Sequence, residues 1–243
     1  MNPIFFVMKK NILLIALVSV FTVAHFSGNA QRRRSATLTV GGQVIQPRGE
    51  FAMQYSSHPA GFAANFTAPL GNSPLEVGLG FAWNNMGSQN KDINALVYTD
   101  SSGTNVYEAG TMRIRSTINR YQAIARFRPF VGRIQPYADA FAGVEAFKTK
   151  TDITIDSDGY SSATNSERAH LDMTYSFGWA AGLRLELTPS IYVEGRFENM
   201  TGGQVSFVDK STIVVEDNSD ITFSTTRSAT NKYTYLLGIT VAF

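Results

Sequence analysis

The side chains with the most catalytic potential are three histidines, His25, His58 and His170. A serine hydrolase needs a histidine between a nucleophilic serine and a carboxylate, and Ser166 and Glu167 lie close to His170 in the sequence. This set lies in a long polar stretch, however, and His25 falls in an apolar N-terminal segment. We therefore interpret His58 and His170 as loop residues and predict no catalytic residue, with a hydrolytic site as an alternative.

Acidic residues between positions 150 and 160 offer a second kind of chemistry. Asp152, Asp156 and the Asp158-Gly159 pair resemble fragments of a calcium loop. A complete loop needs more ligands and a terminal Glu, so we predict a solvated acidic loop and no metal site. The sequence contains no cysteine, which excludes a disulfide scaffold and a Cys-based zinc site. Since phosphate-loop and dinucleotide motifs are missing too, we expect no cofactor.

The N-terminal segment has the features of a secretory signal. Lys9 and Lys10 precede an apolar run over 12–26, and small residues follow up to Ala30, a pattern that predicts cleavage there. We expect residues 1–30 to be removed and residues 31–243 to form the mature domain. Without the two lysines, 19 of the 21 basic residues remain, which equals the 19 acidic residues. A neutral mature chain gives no support for a nucleic-acid partner.

The mature chain alternates apolar and polar residues with a period of two. Between Leu75 and Trp83, and again between Phe177 and Leu187, every second residue is apolar while glycine, alanine and charged residues take the other face. We found no comparable helical stripe of period 3.6. A chain that is 44% hydrophobic and 12% aromatic but has a mean hydropathy of -0.08 suits strands with one apolar face.

Eight segments follow this pattern, and the connections between them alternate in length. We predict strands over 36–46, 60–70, 74–85, 112–129, 136–149, 171–188, 190–206 and 229–243. The first is the least clear because Gly41 and Gly42 interrupt it. Short connections at 70–73, 130–135 and 188–189 alternate with long polar ones at 47–59, 86–111, 150–170 and 207–228. This alternation is typical of an antiparallel up-and-down transmembrane β-barrel and favours it over a soluble β-sandwich.

Two of the long connections carry strand signals of their own. The apolar runs 213–215 and 221–223 flank a turn-forming Asp-Asn-Ser-Asp stretch, and 95–98 and 105–107 flank Ser101-Ser102-Gly103. Such pairs read as hairpins. We therefore predict that β-rich extensions rise above the membrane on the side of the long connections.

Charged residues on the inward face predict how the barrel is filled. Strand alternation assigns to the lumen Glu76, Arg126, Arg128, Asp139, Glu145, Arg184, Glu186, Glu194, Arg196 and Glu198. An eight-stranded barrel is only wide enough to hold side chains, and buried charges must be paired. We predict a polar plug, with a narrow ion-selective path as the alternative.

The C-terminal strand carries the clearest resemblance to a known family. Its alternating residues are Tyr233, Tyr235, Leu237, Ile239, Val241 and the terminal Phe243. This ending looks like the signal read by the outer-membrane barrel-assembly machinery. With the Gly-Trp-Ala-Ala-Gly-Leu-Arg-Leu stretch at 178–185, the mature chain is similar to small OmpA/OmpX-type eight-stranded outer-membrane proteins. It departs from full-length OmpA in that we expect no peptidoglycan-binding domain after the last strand.

The resemblance implies a location in the outer membrane of a Gram-negative bacterium, with lipid and lipopolysaccharide as surroundings. It does not imply one activity, because this fold hosts many. Our leading hypothesis is a non-enzymatic barrel that acts through its outer loops in adhesion, partner binding or envelope integrity. The alternatives are an accessory subunit of a secretion or assembly complex, a narrow channel, and a lipid A-modifying enzyme.

Overall fold

The computed structural model describes residues 34–55, 57–99, 105–157, 160–208, 214–215, 221–222 and 224–243. Almost all of this chain is β-strand. The strands are β1 (Thr37–Pro47), β2 (Ala60–Pro69), β3 (Leu75–Thr99), β4 (Asn105–Phe127), β5 (Ile134–Ser157), β6 (Tyr160–Thr188), β7 (Ile191–Gly202), β8 (Gln204–Val208), β9 (Val214–Val215), β10 (Ile221–Thr222), β11 (Thr225–Ala229) and β12 (Lys232–Ala242). One short helix, α1 (Glu50–Gln54), lies between β1 and β2.

Eight of the described strands close into an antiparallel barrel in the order β1-β12-β7-β6-β5-β4-β3-β2. The closing seam joins β1 to β12 with Thr37 opposite Ala242 and Pro47 opposite Lys232. Gly41 and Gly238 face each other there, and a Cβ on Gly41 would lie 2.4 Å from the Leu237 carbonyl oxygen. Gly41, which interrupts the apolar pattern of the first predicted strand, is therefore the residue that allows β1 and β12 to approach each other. The predicted barrel is confirmed, and the sandwich alternative is wrong.

The two faces of the barrel wall differ in chemistry as the alternation predicts. Large apolar side chains are exposed on the outer face, with Leu79 and Leu237 both 68% accessible. The inner face is mostly buried and is rich in Thr, Gln, Asn and charged residues. A closed sheet leaves no backbone edge unpaired, and an apolar belt outside is what a hydrocarbon core requires. No helix in the described part of the chain is long and apolar enough to cross a membrane.

Four strands continue far beyond the length needed to cross a bilayer. β3 to β6 contain 25, 23, 24 and 29 residues, whereas a spanning strand needs about 10. The stretches 86–111 and 150–170, predicted mainly as polar loops, are therefore largely strand. They form two tall hairpins at one end of the barrel. The predicted pairing of 95–98 with 105–107 is observed.

The described parts of the remaining long connections also contain secondary structure. Val214–Val215 pairs with Ile221–Thr222 as predicted. The predicted strand 190–206 is two strands, because β7 ends at Gly202 and β8 then pairs with β11. The stretch 47–59, predicted as a loop, contains α1, whose five residues are too few to show a helical period.

The opposite end of the barrel, which we call the short-turn end, is closed by tight connections. A turn at Gly71, which has a φ of 62°, joins β2 to β3. Arg34 lies just before β1, and its guanidinium donates to the carbonyl oxygens of Arg128 and Pro129 beyond the end of β4. Arg34 is therefore held against the end of β4, while Arg32 and Arg33 lie outside the described residues.

Candidate functional site

Glu194 is the centre of the charged lumen. Its Oε2 accepts from Arg184 Nε at 2.6 Å and from the hydroxyls of Thr240 and Thr39 at 2.7 and 2.9 Å. Its Oε1 accepts from the Tyr137 hydroxyl at 2.5 Å. The donors come from β6, β12, β1 and β5, because period-two alternation points one side chain in two from each strand into the same space. This one carboxylate therefore joins strands from around the barrel.

Asp139 forms a second centre beside Glu194. Arg126 donates to both of its carboxylate oxygens, from Nε at 2.7 Å and from Nη2 at 2.9 Å, a bidentate geometry with the strongest hydrogen bonds of this type. Arg196 Nη2 lies 3.2 Å from the same carboxylate, and Arg126 Nη2 lies 3.7 Å from Glu194 Oε1. The guanidinium of Arg126 also stacks 3.7 Å from the centroid of the Tyr137 ring.

The network continues toward the long-loop end, the end opposite the short turns. Arg196 Nε lies 3.1 Å from Glu198 Oε1, and Arg120 Nη1 lies 2.7 Å from Glu198 Oε2. Successive ion pairs thus form one chain along the lumen. In order, its members are Arg184, Glu194, Arg126, Asp139, Arg196, Glu198 and Arg120.

Two further ion pairs lie near the two ends of the lumen. At the short-turn end, Arg128 Nε lies 2.6 Å from Glu76 Oε1, and Arg128 also donates to Gln135 at 2.5 Å. At the long-loop end, Lys232 Nζ lies 2.6 Å from Glu145 Oε2. Charges removed from water need partners of this kind, because an unpaired buried ion is strongly destabilising.

An apolar cap covers the charged lumen at the long-loop end. Phe51 of α1 is fully buried, while Met53 on the other side of the helix is 85% exposed. The cap consists of Phe51 with Ile45, Met86, Ile118, Phe147 and Val205. The ammonium of Lys232 lies 5.8 Å from the ring of Phe51 and 5.5 Å from that of Phe147. Behind Phe51, burial raises the pKa of Tyr55, and a hydrogen bond with Ser57 opposes that shift.

The structure places nine of the ten predicted lumen charges in the barrel interior. The exception is Glu186, which is half-buried near the short-turn end and makes no salt bridge with any described residue. The prediction missed several interior partners of this network, among them Arg120, Tyr137 and Lys232. Alternation could have found them, because Arg120 is six residues from Arg126 on β4, and Lys232 directly precedes the outward Tyr233.

The residues of the predicted assembly signal lie on the outer face of β12 or directly after it. Phe243 stacks on Phe66 of β2 with ring centroids 6.2 Å apart. Tyr233 and Tyr235 both pack against Phe197, at 5.3 and 5.5 Å. The other members are Leu237, Ile239 and Val241. Their outward position is compatible with recognition by another protein during assembly, which stays a prediction.

The candidate catalytic and metal residues are not gathered in a described site. His58 is exposed before β2. The backbones of Ser166, Glu167 and His170 lie within β6. The interpretation of His170 as a loop residue is therefore wrong. Asp152 and Asp156 lie on β5, and Asp158 is outside the described residues. Within the described ranges, no group of three His, Asp or Glu residues is arranged to hold a metal ion.

Comparisons with known proteins return solved structures of low sequence identity. No family model matches the chain, and no curated protein matches it. Among solved structures, Ail, the attachment invasion locus protein of Yersinia pestis, is 15% identical with a TM-score of 0.43, covering 87% of this chain and 99% of that chain. Neisserial surface protein A is 10% identical with a TM-score of 0.42, covering 86% and 96%. A major outer membrane protein from Thermus thermophilus is 14% identical with a TM-score of 0.42, covering 86% and 99%.

Proposed function

We propose that this protein is a non-enzymatic barrel of the Gram-negative outer membrane that works by presenting its tall β-hairpins outside the cell. Residues 1–30 act as the cleaved export signal, and residues 31–243 form the barrel. The single observation that carries the proposal is the length of β3 to β6, which contain 23 to 29 residues each. More than half of each strand exceeds what a bilayer requires.

The lumen supports the same proposal because described side chains occupy it along its length. Salt bridges fill its middle, and the cap around Phe51 covers the long-loop end. At the short-turn end, Arg34 reaches across to Arg128 and Pro129. A rigid, filled barrel is a suitable base for surface structures that bind other molecules, because function is commonly carried by segments that project from a stable scaffold.

The decisive experiment shortens the hairpins without opening the barrel. Asn90 and Arg113 are register partners on β3 and β4, so residues 91–112 can be replaced by Asn-Gly, the pair that favours a tight hairpin turn. Thr151 and Glu167 are partners on β5 and β6, so residues 152–166 can be replaced in the same way. Each variant is compared with the wild type and a null strain for attachment of cells to matrix-coated surfaces and for survival in bile detergent.

We expect both shortened variants to fall to the level of the null strain while retaining a barrel. Folding is checked by the gel-mobility shift on heating that a folded barrel gives. Wild-type phenotypes in both shortened variants, combined with loss in a variant of the lumen, would refute action through the hairpins. That result would favour the accessory-subunit or channel alternatives.

A further inference from the structure

We propose that the outer wall of β4 and β5 binds the phosphate groups of the surrounding lipopolysaccharide. The inference rests on the proposed function in that it takes the long-loop end to face the outer leaflet. Four cations form what we call the basic face, Arg113 and Arg115 on β4 and Lys148 and Lys150 on β5. Each of the four is an even number of residues along its strand from the lipid-facing Tyr121 or Val144, so strand alternation points its side chain outward.

The register brings like charges together in this face. Arg115 is directly opposite Lys150, and Lys148 is the next outward residue on β5. Like charges across neighbouring strands are destabilising, so such a pair indicates that an anion from outside offsets the repulsion. Within the described part of the chain, neither Lys148 nor Lys150 forms a salt bridge.

Acidic residues are present but lie at the upper edge of the face. Asp152 is opposite Arg113 and accepts from Arg115 Nη2 at a long 3.4 Å, a distance at which an exposed pair contributes little. Asp92 is exposed on β3 beside this edge. The four cations outnumber these two acids, and among the side chains that the structure describes, those of this face nearer the membrane are only cations.

The height of the basic face agrees with a lipid head group. Arg115 is twelve residues along β4 from Phe127 at the short-turn end, which at about 3.3 Å per residue and a tilt of about 40° is about 30 Å along the membrane normal. The apolar band of such barrels is about 25 Å tall. On the neighbouring strand β6, the exposed Leu171 is the register partner of Lys148. The cations therefore begin where the apolar belt ends.

This position selects phosphate attached to lipid as the ligand. Lysine and arginine side chains extend along an apolar surface while their charged groups reach the polar layer. Anionic head groups attract cations held at the membrane surface, and the attraction weakens with salt. The basic face is open to the side rather than folded into a pocket, which fits a layer of phosphates better than one small soluble anion.

The test uses the full mature chain and the double variant K148Q/K150Q, with R133Q/R227Q as the control. Arg133 and Arg227 are exposed and lie outside the basic face, so the control removes the same charge elsewhere. Folded proteins in neutral-lipid nanodiscs are titrated with deep-rough lipopolysaccharide and with the same lipid after enzymatic removal of its phosphates. We expect K148Q/K150Q to bind the phosphorylated lipid about 30-fold more weakly, about fivefold for each cation removed, and the control to bind like the wild type.

Three outcomes would overturn the proposal: wild-type affinity in K148Q/K150Q, equal binding of the dephosphorylated lipid, or displacement of the lipid by equimolar inositol hexaphosphate, which would indicate a soluble polyanion instead. The heat-dependent gel shift separates these outcomes from a failure to fold. The replacement of residues 91–112 keeps all four cations, whereas K148Q/K150Q keeps both hairpins. Failure of this inference is therefore distinguishable from failure of the proposed function.

Discussion

The ammonium of Lys232 lies 2.6 Å from Glu145 Oε2, and both side chains are fully buried beneath the rings of Phe51 and Phe147. Among the described residues, this is the ion pair that joins β12 to β5 across the lumen. It also sits where the charged lumen meets the apolar cap. Its energetic weight can be measured because each partner can be neutralised separately.

Neutralising one member of this pair should be costly. Lys232→Met leaves Glu145 charged and unpaired, and Glu145→Gln leaves Lys232 charged and unpaired. We expect each single variant to lower the free energy of unfolding by about 3–5 kcal/mol. The double variant K232M/E145Q should recover most of that free energy, because no uncompensated charge remains. Urea unfolding in detergent, monitored by tryptophan fluorescence, gives the free energy of unfolding of each of the three variants relative to the wild type. Additive losses in the double variant would show that the two side chains do not interact.

Closure of the barrel should depend on Gly41. The Cβ of a valine there would lie only 2.4 Å from the Leu237 carbonyl oxygen, so β1 and β12 could not pair. Gly195 provides the control, since a Cβ there meets nothing within 4 Å and faces outward. We expect G41V to lose the heat-dependent gel shift and G195V to keep it. A folded G41V barrel would mean that the seam can open or shift its register.

The lumen should block ion flow at more than one level. We expect no conductance steps from the wild type in planar bilayers, and none from F51A, because the salt bridges below the cap remain. Removing the cap and the central charges together, in F51A/R126S/D139S/R196S, should produce small steps. Insertion is verified for each protein by protease protection. If the wild type gave conductance steps as often as the quadruple variant, the narrow-channel alternative would be supported instead.

The terminal phenylalanine should matter more in cells than in the test tube. Phe243→Ala removes the stacking partner of Phe66 but no barrel hydrogen bond. If the last strand is the assembly signal, F243A should accumulate at a much lower level in the outer membrane while refolding in detergent at the wild-type rate. Phe177→Ala, which removes another exposed aromatic, controls for lost lipid contact. Equal losses in both variants, or slow refolding of F243A alone, would assign Phe243 a structural role.

The barrel itself could be predicted from the sequence because its wall obeys a strict rule. Each strand between lipid and lumen must alternate, and Leu75 to Trp83 does so without interruption. The tall extensions could not be bounded in this way. Above the bilayer neither face of a strand meets lipid, so a stretch such as 86–99 no longer needs a continuous apolar face and resembles a loop.

The lumen was predictable as a set of residues but not as a set of contacts. Alternation assigns Arg126 and Glu194 to the interior, yet which acid meets which base depends on the stagger of strands far apart in the sequence. Lys232 could have been assigned to the lumen by the same alternation, since it directly precedes the outward Tyr233 within the predicted strand 229–243. The helix that carries Phe51 gave no signal, because five residues hold too little of a helical period.

The meeting of β1 and β12 has a consequence for the order in which the strands can follow one another along the chain. The amide of Phe243 donates to the carbonyl of Ala36 at 3.0 Å, so a few added residues could join residue 243 to residue 36. The chain could then be cut in the turn between Pro69 and Leu75 without removing a barrel strand, giving a circular permutant. In such a permutant β12 would keep its aromatic pattern but would be followed by β1, and β2 would be the last barrel strand. Comparing its assembly in cells with that of the wild type would separate the contribution of the β12 side chains from the contribution of the position of β12 in the strand order.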